Sequence, residues 1–544
     1  MHTDSQSTEP TALTDIPEQQ AGYHAGQDPD ASAALDLSCW APAAGSANRD
    51  IIPSKDLIEG RALDVTQNDG YIAGSLQYHV DHAIGLGLKL SLRPDIASLG
   101  QDENWGAAFS NELETAFKLW TESAQNHVDV TGVNDWSSIQ AVAYRSLLIH
   151  GEVLASYEPR RNSKGNYITK IRLIDPARLS DPGNGFNLTG KDVRGGIEYD
   201  ADGRPIAYYI SNKHPNDFSS RTKRRDIRMT WTRYPAFGQN GRRKIFHSFD
   251  PLRPEQSRGV TIFASVLRAV KMVDKVQDAT LQAALLQTVF AIVVKSEADW
   301  SQIMEVMGAG GAEQDAKKTL QDFVKMRGEY YTRNGIDVNG AKAIHLLPDE
   351  TLEIKEAKAA NPEIGQFLDS MREEIARGQN MSTEQFTGNF GKINFSAARM
   401  SSIQSNKAHA GRRKRVMAPF CGWVFALFAE EYFLRNPSAL PPRIDFYGFR
   451  DALLKADWQG PPMVDADPEK TAKAAAKRIE GGYTTMEYEC QLLGLDWEEV
   501  LTQQARELES KKALGLFELQ SENAASMLPP VPETPPNGTS SNDR

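Results

Sequence analysis

Two amphipathic helical patterns enclose a short strand-rich stretch in the middle of this chain, and that arrangement limits the folds open to it. Phe263, Leu267, Val270, Val273, Leu281 and Leu285 make an apolar stripe over residues 260–288, with Arg268, Lys271, Asp274 and Asp278 interspersed. Ile364, Phe367, Leu368, Met371 and Ile375 make a second stripe over 363–378. Between them, Val289–Val294, Ala343–Leu347 and Thr351–Lys355 are β-rich runs, and a helical piece is expected around 313–328. The pattern predicts a small α/β module, about 290–355, at the tip of a two-helix stalk. Such an insertion is an uncommon layout for an enzyme core.

The flanks split by periodicity. Tyr71, Leu76, Val80 and Ile84 share a helical face within 53–150, as do Phe109, Leu113, Phe117 and Trp120. From Gly151 short β-rich runs follow at Val153–Tyr157, Ile168–Ile174, Gly196–Tyr199 and Ile206–Ile210. Asp175-Pro176, Asp181-Pro182 and Asp202-Gly203 punctuate them as turns, which predicts an antiparallel sheet. Residues 213–243 read as a polar loop bearing Arg221, Lys223, Arg224, Arg225 and Arg228. A long helix is expected from Ser396 to Leu434, kinked at Pro419 because proline removes a backbone donor. Two or three more helices are expected over 468–515. The fold class is α+β, mainly helical.

The net charge of −11 is unevenly placed. Residues 1–48 carry seven acids and no Lys or Arg, which leaves 61 basic against 65 acidic residues in the remainder. That acidic segment and the proline-rich 519–544 are expected to be disordered tails. An overall acidic chain is a poor candidate for tight phosphate-driven DNA binding. Cys39, Cys421 and Cys490 are too scattered for a disulfide framework or a zinc site. No signal peptide is visible, and the apolar run near Leu281–Val294 is too short to span a bilayer. A soluble protein made in the cytoplasm, with no membrane partner, is expected.

Catalytic and cofactor motifs are absent. Gly388-Asn389-Phe390-Gly391-Lys392-Ile393 lacks the spacing and hydroxyl of a phosphate loop, and Gly85-Leu86-Gly87-Leu88-Lys89 lacks the third glycine of a dinucleotide site. His79 and His82 stand three apart and could share a metal, but no third ligand is suggested, and bonding to backbone or water is the ordinary reading. His150 and Glu152 read as packing. No enzyme activity, cofactor or metal is therefore expected. Arg412-Arg413-Lys414-Arg415, extended by Arg399 and Lys407, is either a solvated face, a set of ion pairs with acidic neighbours, or a phosphate or partner contact. Phe420, Trp423, Phe425, Phe428, Tyr432 and Phe433 read as core. Residues 388–399 form an amide-rich, hydroxyl-bearing loop with one lysine leading into a helix. That composition suits contact with something sliding past.

Six segments, in order, resemble the lambda-type portal proteins of tailed bacteriophages. They are Val133–Tyr157, with Asp135-Trp136 and Gly151-Glu152-Val153; Leu173-Ile174-Asp175-Pro176; Gly196–Ile210; Arg253–Leu267, with Gln256-Ser257-Arg258-Gly259-Val260; the 388–399 loop; and the closing pair Gly481–Thr485 and Gly494–Val500. The resemblance covers roughly 50–517, although Asn389, Gly391, Phe395 and Ala397 replace more polar residues of the family's loop. It implies a portal fold with a β-rich wing (49–259), stem helices (260–288 and 356–379), an α/β clip (289–355), a tunnel loop (380–396), a long kinked helix with the wing's return (397–465) and a helical crown (466–518). It further implies a homo-oligomeric ring of twelve subunits at one capsid vertex of the virion, assembled in the host cytoplasm. Double-stranded DNA passes through such a ring during packaging and ejection. Terminase large subunit, major capsid and scaffold proteins and a head–tail connector protein are the implied partners. Asn389, Phe390, Lys392, Asn394 and Ser396 are the implied tunnel-loop contacts. Two rival classes remain open: a monomeric DNA-binding head protein and a head-associated hydrolase.

Overall fold

The computed structural model describes residues 45–160, 167–183, 188, 190–215, 230–238, 241–288, 291–296, 322, 325, 326, 329, 335–338, 341–344, 350–355, 363–391, 394–462 and 468–514. Most of both expected tails, the basic residues between Arg221 and Arg228, Lys392 and nearly all of 313–328 lie outside the described residues. The chain forms two compact units, residues 1–268 with 372–544, and residues 269–371.

The larger unit begins with α1 (Ala47–Ile51), α2 (Lys55–Asn68), α3 (Gly70–Ala83), β1 (Lys89–Leu92), α4 (Ile96–Leu99), α5 (Glu103–Thr121) and α6 (Trp136–His150). Helix α1 overlaps the expected N-terminal tail, because Ser46 caps it and Asn48 is bonded to Glu255 and Ser257. Local sequence sets the helix starts. Asp102 accepts from the Trp105 N–H at 2.9 Å and Asp135 from the Ser138 N–H at 2.8 Å, each supplying an acceptor that the first turn lacks. The stripe Phe109, Leu113, Phe117 and Trp120 is buried along its whole length.

The β region contains β2 (Glu152–Tyr157), β3 (Ile171–Ile174), β4 (Asp192–Arg194), β5 (Ile197–Tyr199), β6 (Pro205–Ser211), β7 (Trp231–Pro235) and β8 (Ile245–Phe249). They form two antiparallel sheets of order β3-β2-β8 and β4-β5-β6-β7. Strand β7 lies within the stretch expected to be loop: Trp231–Pro235 pairs with Ala207–Ser211. Strand β2 is buried on both faces. Val153 and Ala155 join the helical core, while Leu154 joins a second core with Ile197, Tyr208 and Ile210 from the other sheet. Two-sided burial explains why β2 reads as a nearly unbroken apolar run.

Helix α7 (Leu267–Thr288) carries the chain into the smaller unit, starting seven residues later than expected. That unit pairs β9 (Ala291–Ser296) with β12 (Glu350–Lys355), and β10 (Gly335–Val338) with β11 (Ala341–Ile344). Helix α8 (Glu363–Gly378) returns the chain to the larger unit. There follow α9 (Thr383–Thr387), α10 (Phe395–Arg412), a π-turn Arg413–Met417, α11 (Ala418–Arg435), β13 (Ala456–Gln459), α12 (Pro468–Glu480), α13 (Met486–Leu492) and α14 (Trp497–Ala513). Strand β13 pairs with β1.

The disturbance expected at Pro419 takes the form of the π-turn just before it. The Ala418 N–H reaches back five residues to the Arg413 carbonyl, so the ladder widens ahead of the missing donor. Beyond it, Phe420, Phe425 and Phe428 are buried, with Phe117 meeting Phe425 and Phe428 edge-on at 5.3 and 5.4 Å. This aromatic stripe is core.

Three of the six recognisable segments converge on one residue. Arg258, 4% exposed, donates to the carbonyls of Pro176, Leu179 and Gly195 at 3.0, 2.6 and 2.8 Å, and to the fully buried Glu152. Burial alone would raise the Glu152 carboxyl, but Arg258 and Lys55 override it and hold the group well below the usual range. Gly151 and Gly259 let the two segments touch. Gly151 sits at φ +80°, and a Cβ on Gly259 would lie 2.1 Å from the Gly151 carbonyl oxygen. Gly259→Ala is therefore expected to cost about 3 kcal/mol, read as a lower Tm in thermal unfolding of the whole protein.

Candidate functional site

The candidate loop is rooted in the larger unit before it reaches its exposed tip. At the end of α8, the buried Gln379 accepts from the Ser75 hydroxyl of α3 at 2.6 Å. Phe386 on α9 is buried and stacks on Tyr71 with ring centroids 5.6 Å apart. Helix α9 carries a capping box. Ser382 accepts from the Gln385 N–H at 3.3 Å, and Gln385 accepts from the Ser382 N–H at 3.1 Å. The same Gln385 oxygen accepts from Ser405 of α10 at 2.6 Å, joining the loop's entrance to the helix at its exit. These root residues were not among the sequence candidates. Only the Ser-x-x-Gln signature could have pointed to them.

The tip departs from α9 at Gly388, at φ +70°. Asn389 and Phe390 are exposed, and the Asn389 side-chain oxygen accepts from the Gly391 N–H at 3.2 Å. The Asn394 oxygen accepts from the Ala397 N–H at 2.8 Å and so caps α10, which begins at Phe395, one residue before the expected start. Ser396 is exposed on the first turn, and Lys392 lies outside the described residues. Both asparagine oxygens thus hold the loop's own shape, while the exposed Ser396 hydroxyl and Phe390 ring face outward from it.

The six basic candidates do not form one surface. An 18-residue α10 separates the loop from Arg412–Arg415 by about 27 Å at 1.5 Å per residue. Lys407 and Lys414 are exposed, and Arg399 is half-buried beside Thr471. Arg415 is neutralised by Asp250 through two bonds of 2.8 and 2.7 Å. Arg412 and Arg413 are half-buried beside Tyr144, with burial lowering the Arg413 group from its ordinary value.

His82 takes the backbone partner expected of it, its Nδ1 lying 2.9 Å from the Tyr78 carbonyl oxygen, and His79 does not. His79 is fully buried, and its Nδ1 lies 3.5 Å from Nδ1 of His409 on α10, whereas His82 stacks on Tyr78 at 3.8 Å. Among the described residues no group of three or more His, Cys, Asp or Glu side chains could hold a metal. His150 and Glu152 both belong to the buried charge cluster with Lys55, Glu59 and Arg258.

The sequence itself places the chain in a known class, the portal proteins of tailed phages. The family described as phage portal protein, lambda family, matches residues 35–413, and the chain belongs to that family. It is 30% identical over 513 residues to portal protein B of Escherichia phage lambda, covering 93% of each chain. It is 29% identical over 501 residues to the portal protein of Escherichia phage N15, covering 92% of each. Among solved structures, the neck of an empty gene transfer agent particle computed with C6 symmetry aligns with 80% of this chain and 93% of its own, at a TM-score of 0.43 and 11% identity.

Proposed function

We propose that copies of this chain close into a ring of twelve at one vertex of a phage head and that double-stranded DNA enters and leaves through the axial channel. The observation that carries the reading is the similarity to portal relatives over more than nine-tenths of both this chain and theirs. Ring closure requires a heterologous interface, one face of each subunit meeting a different face of the next. The stem is assigned to α7 and α8, the clip to the smaller unit, the tunnel loop to 380–396 and the crown to α12–α14. Terminase large subunit docks at the clip during filling. Scaffold and major capsid proteins surround the ring, and a head–tail connector protein closes it afterwards. Assembly takes place in the host cytoplasm.

DNA carries about one charge per 1.7 Å of helix axis, so rings of free cations would retain it. A loop tip of Asn389, Phe390, Lys392, Asn394 and Ser396 offers one charge per subunit and otherwise polar or apolar contact. The basic run fits a DNA-gripping monomer poorly. Arg415 is paired with Asp250 and Arg412 and Arg413 are half-buried.

Electron microscopy and light scattering of the purified full chain test the ring. Annular particles are expected, and a 60.2 kDa monomer in every condition would overturn the reading. Shortening the tip between Gly388 and Asn394 is expected to leave rings intact while lowering the yield of filled heads or their retention of DNA. Unchanged filling and retention would remove the loop from the mechanism.

A further inference from the structure

Helix α11 ends at a groove that the core leaves open. The groove has a volume of about 300 Å³, with Leu434, Pro437, Pro441 and Tyr447 as walls and Phe433 and Phe446 as floor. The floor belongs to the aromatic core, its two rings 5.3 Å apart. The walls do not: Leu434 and Tyr447 are 62% and 47% exposed, and Pro437 is exposed as well. Their shape is set in advance. The Tyr447 hydroxyl donates to Glu430 at 2.9 Å, and Arg242 holds Glu430 in turn through bonds of 2.8 and 2.5 Å. A preformed groove of rings and fixed backbone loses little freedom when it is filled.

A recurrence in the sequence fits that shape. Pro529, Pro532 and Pro535 fall at every third position, with Pro530 and Pro536 beside them, all outside the described residues. A polyproline II segment turns once in three residues, so the recurrence puts three rings on one edge. Such an edge docks in aromatic-lined grooves at low entropic cost, because proline already restricts the free chain. Arg443, exposed at the rim between the lining residues Pro442 and Ile444, has the sign that Glu533 needs. The length of chain also suffices. Fifteen residues lead from Leu514, just past α14, to Pro529, and they can span about 50 Å. Helix α5 stands between the two sites. It faces α14 across a cleft lined by Ala107, Asn111, Thr502 and Gln503, and its Phe109 stacks on Phe433 of the groove floor at 6.0 Å. A helix is about 10–12 Å across and α14 is about 26 Å long, so the span reaches the groove from either end of α14.

We propose that residues 529–536 of the same chain dock in the groove at the end of α11 as a polyproline II segment. Pro529, Pro532 and Pro535 lie against Tyr447 and Leu434, and Glu533 lies beside Arg443. The contact covers the exposed apolar walls and returns the C-terminal segment to the larger unit. Every groove residue belongs to that unit, so the test does not depend on ring formation or on the tunnel loop.

The full chain carrying Pro529→Ser, Pro532→Ser and Pro535→Ser together leaves the groove open and serves as receptor. A fluorescently labelled peptide of residues 526–539 is the probe, and its anisotropy is read as the receptor is added. The peptide is expected to bind the triple variant saturably. It should bind the parent about ten-fold more weakly, because the tethered segment competes at high local concentration. Leu434→Gln added to the triple variant removes one exposed wall and keeps a helix-forming residue, so it should weaken binding several-fold. A peptide of the same composition with the three-residue recurrence broken should not bind. Absence of binding to the triple variant would overturn the site, as would equal binding with Leu434→Gln or with the rearranged peptide. Equal binding to parent and triple variant would overturn the chain's own segment as the occupant.

Discussion

Glu152→Ala is expected to be the most damaging single substitution in the larger unit, costing about 3–5 kcal/mol as the loss of one partner from a buried ion pair. Glu152 is fully buried and accepts from Arg258 at 2.5–3.1 Å, from the Gly259 N–H at 2.9 Å and from His247 at 3.0 Å. Lys55 lies 3.4 Å away and also donates to the His150 and Gly259 carbonyls at 3.0 and 2.9 Å. Removing the carboxylate leaves two cations in an interior without their counter-charge. Glu59, 2.6 Å from Lys55, compensates only one of them. The cluster ties α2, β2 and the segment leading into α7, so the damage should spread to the start of α7. Circular dichroism melts should place the variant about 10 °C below the parent, or the chain should fail to accumulate. Glu480→Ala, at an exposed position, should change stability by no more than about 0.5 kcal/mol. Similar melting of the two variants would refute the assigned role of the cluster.

That cluster also shows where sequence reading stops. Gly151-Glu152 and Arg258-Gly259 are each recognisable, but they lie 106 residues apart and no local rule says that they meet. Helices such as α5 are legible because one face carries Phe109, Leu113, Phe117 and Trp120 at helical spacing, all buried in the core. Strand β7 is not, because Trp231, Thr232, Arg233, Tyr234 and Pro235 present no apolar alternation and all are at least partly exposed. Arg233 there bonds Glu198 at 2.8 Å, a pairing that composition reads only as positive charge. The loop near Asn389 is legible as polar and turn-rich, whereas its anchoring through Gln379, Gln385 and Phe386 depends on long-range partners. The basic run misleads for a similar reason. A helix bearing four adjacent cations reads as a solvated face, and only packing against Tyr144 takes two of them partly inside.

Acidification from pH 6.5 to 4.5 should remove the stability carried by two buried histidines, opposed by Glu114, whose carboxyl burial raises to about 7, and replacing the two histidines should remove that loss. His79 and His409 are 0% and 1% exposed and face each other across the α3–α10 contact, with Tyr78, His82 and Arg412 around them. Burial, then the neighbouring histidine and arginine charges, push His79 well below its ordinary value and His409 down to about 3. Both folded values lie below the unfolded one of 6.5, so the pair favours folding fully above pH 6.5. That contribution is lost as pH falls, because only the unfolded chain takes up protons. An imidazole kept neutral in the fold costs about 1.4 kcal/mol per pH unit below 6.5, so His409 alone costs about 3 kcal/mol by pH 4.5, and His79 adds to it in the same direction. His247 adds a smaller slope of the same sign, since burial lowers it while Glu152 partly opposes. His79→Leu combined with His409→Met should therefore flatten the Tm-against-pH curve over this interval and leave the opposing slopes of His247 and Glu114. Because α10 runs directly from the loop, the parent should also lose protection of the α10 amides in hydrogen exchange at pH 5 before the aromatic core on α11 opens. A double variant that falls as steeply as the parent would show that these imidazoles are reached by water and protonated within the fold.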